Sequence, residues 1–338
     1  MPYSDLDASE HGKYALATDD LLIARLGSVG RAARVREPNG AVYAGYLVRF
    51  CPDRARALPA FLGYQLQSPD WWEYVEAVRS GAVQPTLNAK QMAAYSFSLP
   101  PLSEQHKIAE VLGALDDKIE ANRITVSIAQ RHTSAAFEAT TAELVTADVP
   151  LFDVVEFVFG ESFKSSDFNM EERGRPLIRI RDLKTFRPQF WTTESRPRET
   201  VVKPGDIVVG MDAEFRPTLW CGAPGLLNQR VCMARPRMGG RAFVRELLEE
   251  PLAQVESFKT GTTVSHLNKV DLESIKVSLP KPAAIMRFDD LAEPLREATV
   301  ALHRENRDLA ALRDTLLPKL LSGELWVREA EDLVEQAV

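Results

Sequence analysis

The histidines and cysteines, the side chains best suited to metal binding or nucleophilic attack, lack the spacing that such chemistry needs. The five histidines form no HExxH run, and Cys51, Cys221 and Cys232 form no CxxC pair. The sequence has no GxxxxGKS/T loop and no GxGxxG after a predicted strand, so nucleotide binding is not supported. A Ser/His/Asp arrangement cannot be argued from spacing alone. The sequence therefore predicts no catalytic residue, no metal site and no cofactor on this chain.

Basic and polar side chains near predicted turns remain as candidates, and their chemistry suits contact with DNA. The net charge of the 338 residues is −7, but residues 173–245 carry 15 Lys and Arg against 6 Asp and Glu. Such a region can bind phosphates on an acidic protein, because charges are screened over short distances at physiological salt. A solvated basic face without a ligand is the alternative.

Sequence-specific binding needs polar side chains at base edges and cations at phosphates. Gln229 and Arg230 carry the donors that suit adenine and guanine edges. Arg179 and Arg181 alternate along RPLIRIRDL, as on a strand with a solvent face, and Arg230 could instead pair with a carboxylate. The candidates in the second half of the chain are Lys164, Arg179, Arg181, Arg216, Gln229, Arg230, Thr262, Thr263, Ser265 and His266.

These candidates lie within an internal repeat. LNAKQMAAYSFSLP at 87–100 matches LNKVDLESIKVSLP at 267–280, and DLLIARLGSVGRA from Asp20 matches DIVVGMDAEFRPT from Asp206. Both landmarks recur in the same order, 67 and 61 residues apart. A period of 180–186 residues is too long for a solenoid and indicates a duplicated domain. By this register the first copy offers Arg25, Ser28, Arg31, Arg34, Gln84 and Thr86.

A long helix with a heptad pattern is predicted after each copy. Such seams favour two helices packed against each other, in which Asn122 would fix the register. Intradomain core is the alternative. Helices of about 35–40 residues would be roughly 50–60 Å long. This length exceeds one turn of DNA, ~34 Å. We therefore expect a DNA target that is interrupted by a gap. The first seam runs through Ile108, Leu112, Leu115, Ile119, Asn122, Val126 and Ala129, and the second through Leu291, Leu295, Ala298, Leu302, Glu305, Leu309, Leu312 and Leu316, ending near Pro318.

Between the helices, short strands and turns without βαβ periodicity predict an α+β fold. The expected divisions are a first domain at 1–100, a long helix at 101–148, a second domain at 149–282, a second long helix at 283–325 and a tail at 326–338.

The motifs resemble the specificity (S) subunit of type I restriction–modification systems. LPPLSEQHKIAEVLGALDDKIEANR and LLPKLLSGELWV are similar to the two conserved helical regions of that family. KPGDIVVG, LLNQRVCMA and GTTVSHLNKVDLESIKVSLP are similar to landmarks of its target-recognition domains. The resemblance implies two target-recognition domains, at 1–100 and 149–282, separated by antiparallel helices that pack as a coiled coil and act as a spacer. Each domain would read half of a bipartite double-stranded DNA target, and methyltransferase (M) subunits would dock on the helices and LLPKLLSGELWV. It implies no catalysis by this chain, with SAM, ATP and Mg only on partner subunits.

The first copy is shorter than the second, which is the one departure from the family pattern. It has about 36 fewer residues before its Asp landmark, so we expect a first domain that is incomplete at its N-terminus. A degenerate S-like adaptor that binds M subunits without reading DNA is therefore the alternative function. Whether an endonuclease (R) subunit joins, and whether two copies self-associate, stays open.

The cysteine content and the hydropathy of the chain indicate the cellular compartment in which the protein is expected. The three dispersed cysteines fit a reducing compartment, and neither a membrane helix nor a secretory signal is predicted. We therefore expect a cytoplasmic protein.

Overall fold

The computed structural model describes residues 8–81, 85–142, 148–259 and 266–337. Helices and short, mainly antiparallel strands confirm the predicted α+β class, with a long helix after each copy of the repeat. The chain divides into two compact units: unit 1 comprises Met1–Ile119 and Asp308–Val338, and unit 2 comprises Glu120–Arg307.

The helices are α1 (Ala8–Tyr14), α2 (Pro59–Gln65), α3 (Pro69–Val78), α4 (Ala89–Ala93), α5 (Leu102–Thr141), α6 (Leu151–Val154), α7 (Arg241–Lys259), α8 (Lys269–Ser274), α9 (Pro282–Ser322) and α10 (Val327–Glu335), with 3-10 turns at Ser165–Asp167 and Ile180–Lys184. Among these described helices, not one combines the length and apolarity that crossing a membrane requires.

The strands are β1 (Leu21–Ala24), β2 (Ala32–Arg34), β3 (Leu47–Phe50), β4 (Val149–Pro150), β5 (Val155–Phe159), β6 (Phe168–Asn169), β7 (Arg175–Ile178), β8 (Phe190–Thr192), β9 (Val201–Val202), β10 (Ile207–Gly210), β11 (Pro217–Leu219), β12 (Gly225–Leu227), β13 (Val231–Pro236) and β14 (Lys276–Val277). Most are shorter than the 5–6 residues usual for strands, so pairing alone stabilises them little.

In unit 1, three antiparallel strands in the order β2-β1-β3 pack against α3. Trp71 of α3 is fully buried, and its indole Nε1 donates to the carbonyl oxygen of Gly30 at 2.8 Å. Gly30 has φ +84°, and a Cβ there would lie 2.8 Å from the Val75 side chain. Only glycine fits this position, so the turn between β1 and β2 is held against the helix.

Unit 2 contains two larger sheets, ordered β11-β10-β13-β5 and β6-β8-β7-β12-β9. β10 is buried along its whole length, as expected for the continuous apolar run IVVG in a central strand. Phe243 of α7 packs on the first sheet together with Phe137 of α5 and Phe288 of α9. The long helices thus share a core with the second copy of the repeat.

The two copies of the repeat have the same strand pairing. β1 lies between β2 and β3, and β10 lies between β11 and β13, all antiparallel. Leu21 pairs with Phe50, and Ile207 occupies the corresponding position opposite Ala234. β1 therefore corresponds to β10, β2 to β11, and β3 to β13. We refer to each set of three strands with its turns as the repeat frame.

The landmark residues of the repeat have local structural roles. Asp20 and Asp206 each accept a hydrogen bond from the backbone N–H three residues earlier, at 2.8 and 2.7 Å. Asn88 and Asn268 each form the N-cap of a short helix through a reciprocal capping box. The Leu-Asn signature thus pairs a buried leucine with a helix start in both copies.

The copies differ in what surrounds the frame. In the second copy, β5 extends the sheet on the far side of β13. Within residues 8–81 and 85–100, the described part of the first copy, no strand corresponds to β5 or to the five-stranded sheet. The three-stranded frame is therefore common to both copies, and the described elements around it differ.

The long helices meet along heptad seams inside each unit. In unit 1, Ile108, Leu112, Leu115 and Ile119 of α5 are at most 4% exposed and share a core with Leu309 and Leu316 of α9. In unit 2, Phe137 contacts Phe288 and Asn122 contacts Asn306, so the helices run antiparallel there.

The second seam differs from the predicted one at alternate positions. Leu295 and Leu302 are half-buried, but Leu291 is 47% exposed while its neighbour Ala292 is buried. Thr299 is buried in place of the predicted Ala298. The prediction was wrong here because it followed the most apolar residues, whereas the real seam contains polar ones.

The end of α9 lies close to the expected one. The helix continues past Pro318, where the predicted seam ends, to Ser322. Leu316, Leu317 and Leu320 are buried in the unit 1 core, and Leu321, Leu325 and Val327 pack against it. The leucines and Val327 of LLPKLLSGELWV therefore face this core, whereas Trp326 is 76% exposed.

Candidate nucleic-acid interface

The turn after β10 brings together several of the predicted DNA-contacting residues of the second copy. Oδ1 of Asp212 lies 2.5 Å from Nδ1 of His266 and 3.8 Å from a guanidinium nitrogen of Arg230. All three side chains are partly or largely exposed. Asp212 therefore holds an imidazole and a guanidinium side by side at the surface, both able to donate to DNA. The carboxylate of Asp212 limits their net charge.

The 3-10 turn Ile180–Lys184 lies against the same segment. Lys184 Nζ donates to Glu214 Oε1 at 2.9 Å, and Arg181 in this turn is exposed. Arg179 lies just before the turn, with its guanidinium 4.9 Å from the ring centre of Phe190. The expected strand alternation of Arg179 and Arg181 was wrong, because β7 ends at Ile178.

Gln229 and Lys164 are exposed beside the frame. The Gln229 N–H donates to the carbonyl oxygen of Glu161 at 2.8 Å, which ties the 160–164 segment to the turn before β13. A Cβ at Gly160 would lie 2.1 Å from the backbone oxygen of Asn228, so this approach needs glycine. The backbone N–H of Lys164 donates to the carboxylate of Glu194, and the Lys164 side chain is exposed.

Arg216 of the second copy and Arg31 of the first occupy the same position of the frame. Each immediately precedes the strand that pairs with the central one, at Pro217 and Ala32. Register confirms the match, since Pro217 pairs with Val209 and Ala32 pairs with Ile23. Both arginines are exposed and make no ion pair within the described residues. They are two exposed cations at equivalent positions of the frame.

The other first-copy candidates are spread around the same turn. Arg25 and Ser28 are exposed, Arg34 is partly buried and lies 3.5 Å from Asp19, and Thr86 bridges to Ser80. The backbone oxygen of Arg25 accepts from Leu87 at 3.1 Å, which brings Thr86 next to the turn. Gln84, Thr262, Thr263 and Ser265 lie outside the described residues.

Much of the basic region at 173–245 is neutralised internally. Arg175 makes a two-pronged hydrogen bond to Glu199 and lowers the pKa of that carboxyl to about 2. Arg245 pairs with Glu246 and Glu249 on α7. The local excess of positive charge is therefore smaller at the surface than the sequence indicates. Arg181 and Arg216 are among the cations of this region that have no ion-pair partner in the ranges that the structure describes.

Two residues of this surface were missed by sequence reasoning. Asp212 was not among the candidates, although its carboxylate contacts Arg230 and His266. Tyr46 was not considered, although it is 55% exposed at the start of β3. Only the structural register of the repeat, which places Tyr46 in the first copy where Arg230 lies in the second, indicates its importance.

The arrangement can bind and position but offers little for catalysis. Among the described residues, no group of three or more His, Cys, Asp or Glu side chains could hold a metal ion. Burial raises the pKa of the Cys221 and Cys232 thiols to about 12, so both stay protonated and unreactive near neutral pH. The duplicated frame displays arginines, amides and hydroxyls, which are groups that can donate hydrogen bonds to a polyanion.

Comparisons with known proteins relate this chain to a family. Residues 4–129 match the model of the type I restriction modification DNA specificity domain. This part of the chain is similar to that domain, and the resemblance to type I specificity subunits found in the sequence is confirmed.

Two relatives extend the similarity beyond this segment. The specificity subunit of the type I restriction enzyme EcoBI from Escherichia coli is 28% identical over 222 residues, covering 60% of this chain and 47% of that protein. The chain thus matches about half the length of that relative. A putative type I restriction enzyme MjaX specificity subunit from Methanocaldococcus jannaschii is 23% identical and covers 96% of this chain and 82% of its own length.

A solved structure has the same fold. The S subunit of a type I restriction–modification system from M. genitalium superposes with a TM-score of 0.59 at 15% identity. The superposition covers 92% of this chain and 84% of that one.

Proposed function

We propose that this chain is the DNA sequence-recognition subunit of a type I restriction–modification complex and reads a bipartite target, one half with each copy. The observation that carries the proposal is the repeat frame, built twice in the same strand register and displaying an exposed arginine at the same position, Arg31 and Arg216. A two-part target is the natural ligand of such a duplication.

In the second copy, the contacts divide into two kinds. Arg216, free of an ion pair among the described residues, serves as a phosphate contact that sets orientation. Arg230, Gln229 and His266 lie together at the turns and carry the donors and acceptors that base edges require. Asp212 keeps Arg230 and His266 in place before DNA arrives, which reduces the entropy lost on binding.

Methyltransferase subunits dock on the helices. Ile124 and Ile128, 52% and 48% exposed, lie one turn apart on α5 and form an apolar stripe that a partner would cover. The chain itself contributes no catalysis, and SAM, ATP and Mg belong to partner subunits. The complex acts on DNA in the cytoplasm. Stoichiometry of the purified complex distinguishes an added endonuclease subunit from a second copy of this chain.

A second candidate is an adaptor that binds methyltransferase subunits without reading DNA. The small three-stranded sheet of the first copy favours it, because this copy has fewer described elements around its frame than the second.

Selection from randomised DNA duplexes tests the proposal and separates the two candidates. The purified chain with its methyltransferase subunit is expected to enrich two short sequence blocks with a constant gap, and to keep this preference as salt rises. Enrichment without any sequence preference, in a complex that still forms, would select the adaptor.

A further inference from the structure

The repeat frame places Tyr46 of the first copy and Arg230 of the second at equivalent positions. Each is the residue before the third strand, β3 or β13. The Tyr46 carbonyl oxygen accepts from the Arg25 N–H at 2.8 Å, and the Arg230 carbonyl oxygen accepts from the Met211 N–H at 2.9 Å. Arg25 and Met211 in turn lie five residues after Asp20 and Asp206. The match therefore rests on hydrogen bonds and register as well as on sequence.

The residues before the Leu-Asn signature correspond in the same way. Leu87 donates its N–H to the carbonyl oxygen of Arg25, and Leu267 donates to that of Met211, at 3.1 and 2.8 Å. Thr86 and His266, each directly before its leucine, thus lie at matching places next to Tyr46 and Arg230.

Two kinds of position emerge from this correspondence. Arg31 and Arg216 are identical in the two copies, which suits a contact to the phosphate backbone that both half-sites share. Tyr46 and Arg230 differ, as do Thr86 and His266. A base-reading position has to differ between copies when the two halves of the target differ.

Tyr46 has the exposure and chemistry for such a role. It is 55% exposed, and within the described part of the chain its ring stacks on no other aromatic side chain and its hydroxyl makes no hydrogen bond. The phenol can donate to or accept from a base edge, and the ring can contact a thymine methyl group. Arg230, which is also exposed, carries the donors that bind guanine.

We propose that Tyr46 is a specificity-determining residue of the first copy and contacts a base pair of one half-site. Arg230, at the equivalent position of the second copy, contacts the other half-site. This inference rests on the proposed function. It also means that the shorter first copy recognises DNA, because the frame that positions Tyr46 is intact.

The test compares motifs selected from randomised duplexes by the full chain in its methyltransferase complex and by three variants. Tyr46→Ala should lose about tenfold or more in discrimination at one or two base pairs of one half-site and leave the other half-site unchanged. Tyr46→Arg should shift the same base pairs toward guanine. Trp72→Ala, which removes an aromatic side chain 39% exposed on α3, should select the wild-type motif. Thermal unfolding confirms that each variant is folded.

The outcomes distinguish a failure of this inference from a failure of the proposed function. A wild-type complex that selects a two-part motif, with the same motif for Tyr46→Ala, would overturn the role of Tyr46 alone. An equal loss of affinity for all sequences in Tyr46→Ala would likewise overturn it and indicate a phosphate contact. A wild-type complex that selects only one half-site would show that the first copy does not read DNA. Selection of no motif would overturn the proposed function together with this inference.

Discussion

The side-chain amide of Asn122 donates to the amide oxygen of Asn306 at 3.0 Å, joining α5 to α9 inside unit 2. Asn122 is only 5% exposed, so the pair lies within the helix seam. A shift of either helix by one position would separate the two amides and leave the buried amide of Asn122 without this partner. The pair therefore fixes the register of the two helices, as single polar residues do in other coiled coils.

Replacing one member of this pair should destabilise the protein. Asn122→Ala leaves Asn306 without its partner, and we expect the free energy of unfolding to fall by about 1–3 kcal/mol in urea denaturation. The double variant Asn122→Leu/Asn306→Leu should recover most of this loss, because no unsatisfied amide remains. Ser127→Ala, an exposed change on the same helix, serves as control and should stay within about 0.5 kcal/mol of wild type. An equal loss in the single and double variants would contradict this role.

Asp116 should stabilise unit 1 through two hydrogen bonds that meet on its carboxylate. Tyr64 donates its hydroxyl to Oδ2 at 2.8 Å, and Arg313 donates to Oδ1 at 2.7 Å. Asp116→Ala should cost about 1–3 kcal/mol in chemical denaturation, because both partners are partly buried. Asp117→Ala is the matched control, since its pair with Arg36 is exposed and should contribute at most about 1 kcal/mol. Similar losses in both variants would refute the distinction.

Arg31 and Arg216 should contribute equally to affinity and not to sequence preference. Alanine at either position should weaken binding to target and unrelated duplexes by the same factor. The slope of log K against log salt should become shallower by about 1 for each arginine removed. Binding titrations at several salt concentrations measure both effects, with Trp72→Ala as control. Loss of discrimination between duplexes without a change in slope would assign these arginines to base reading.

His303 should make the protein less stable in mild acid. Burial lowers the pKa of its imidazole below the ordinary value of 6.5, and the positive charges of Arg307 and Arg123 lower it further. Below pH 6.5 the unfolded chain therefore binds more protons than the folded one, and the free energy of unfolding falls as the pH drops through that window.

Unfolding measured between pH 8 and pH 5 checks this prediction. His303→Gln should show a weaker pH dependence than wild type. His132→Gln, an exposed change on α5, should retain the wild-type dependence. A His303→Gln curve that parallels the wild type would show that this imidazole does not titrate differently on folding.

The sequence predicted what depends on local pattern and repetition. The duplicated landmarks predicted a repeated unit, and the structure assigns them physical roles, as with the capping boxes at Asn88 and Asn268. The α5 seam followed from its apolar spacing. The α9 seam did not, because Thr299 and Asn306 lie in it while the more apolar Leu291 faces outward.

The candidate site was harder to predict because its geometry depends on contacts distant in sequence. Asp212 meets His266 across 54 residues, and no spacing rule connects them. Arg179 was placed on a strand, but its guanidinium packs on Phe190 before a 3-10 turn. Tyr46 was identified only by comparing the pairing of β3 with β1 to the pairing of β13 with β10.

Methylation mapping tests the central claim most directly. The chain is co-expressed with the methyltransferase subunit of its own system, and modified bases in the host DNA are located. The account predicts one motif with two defined blocks and a constant gap, which is methylated less completely but keeps its sequence when Arg31 and Arg216 are both replaced by alanine. Assembly of the complex with no sequence-specific methylation in the wild type would contradict it.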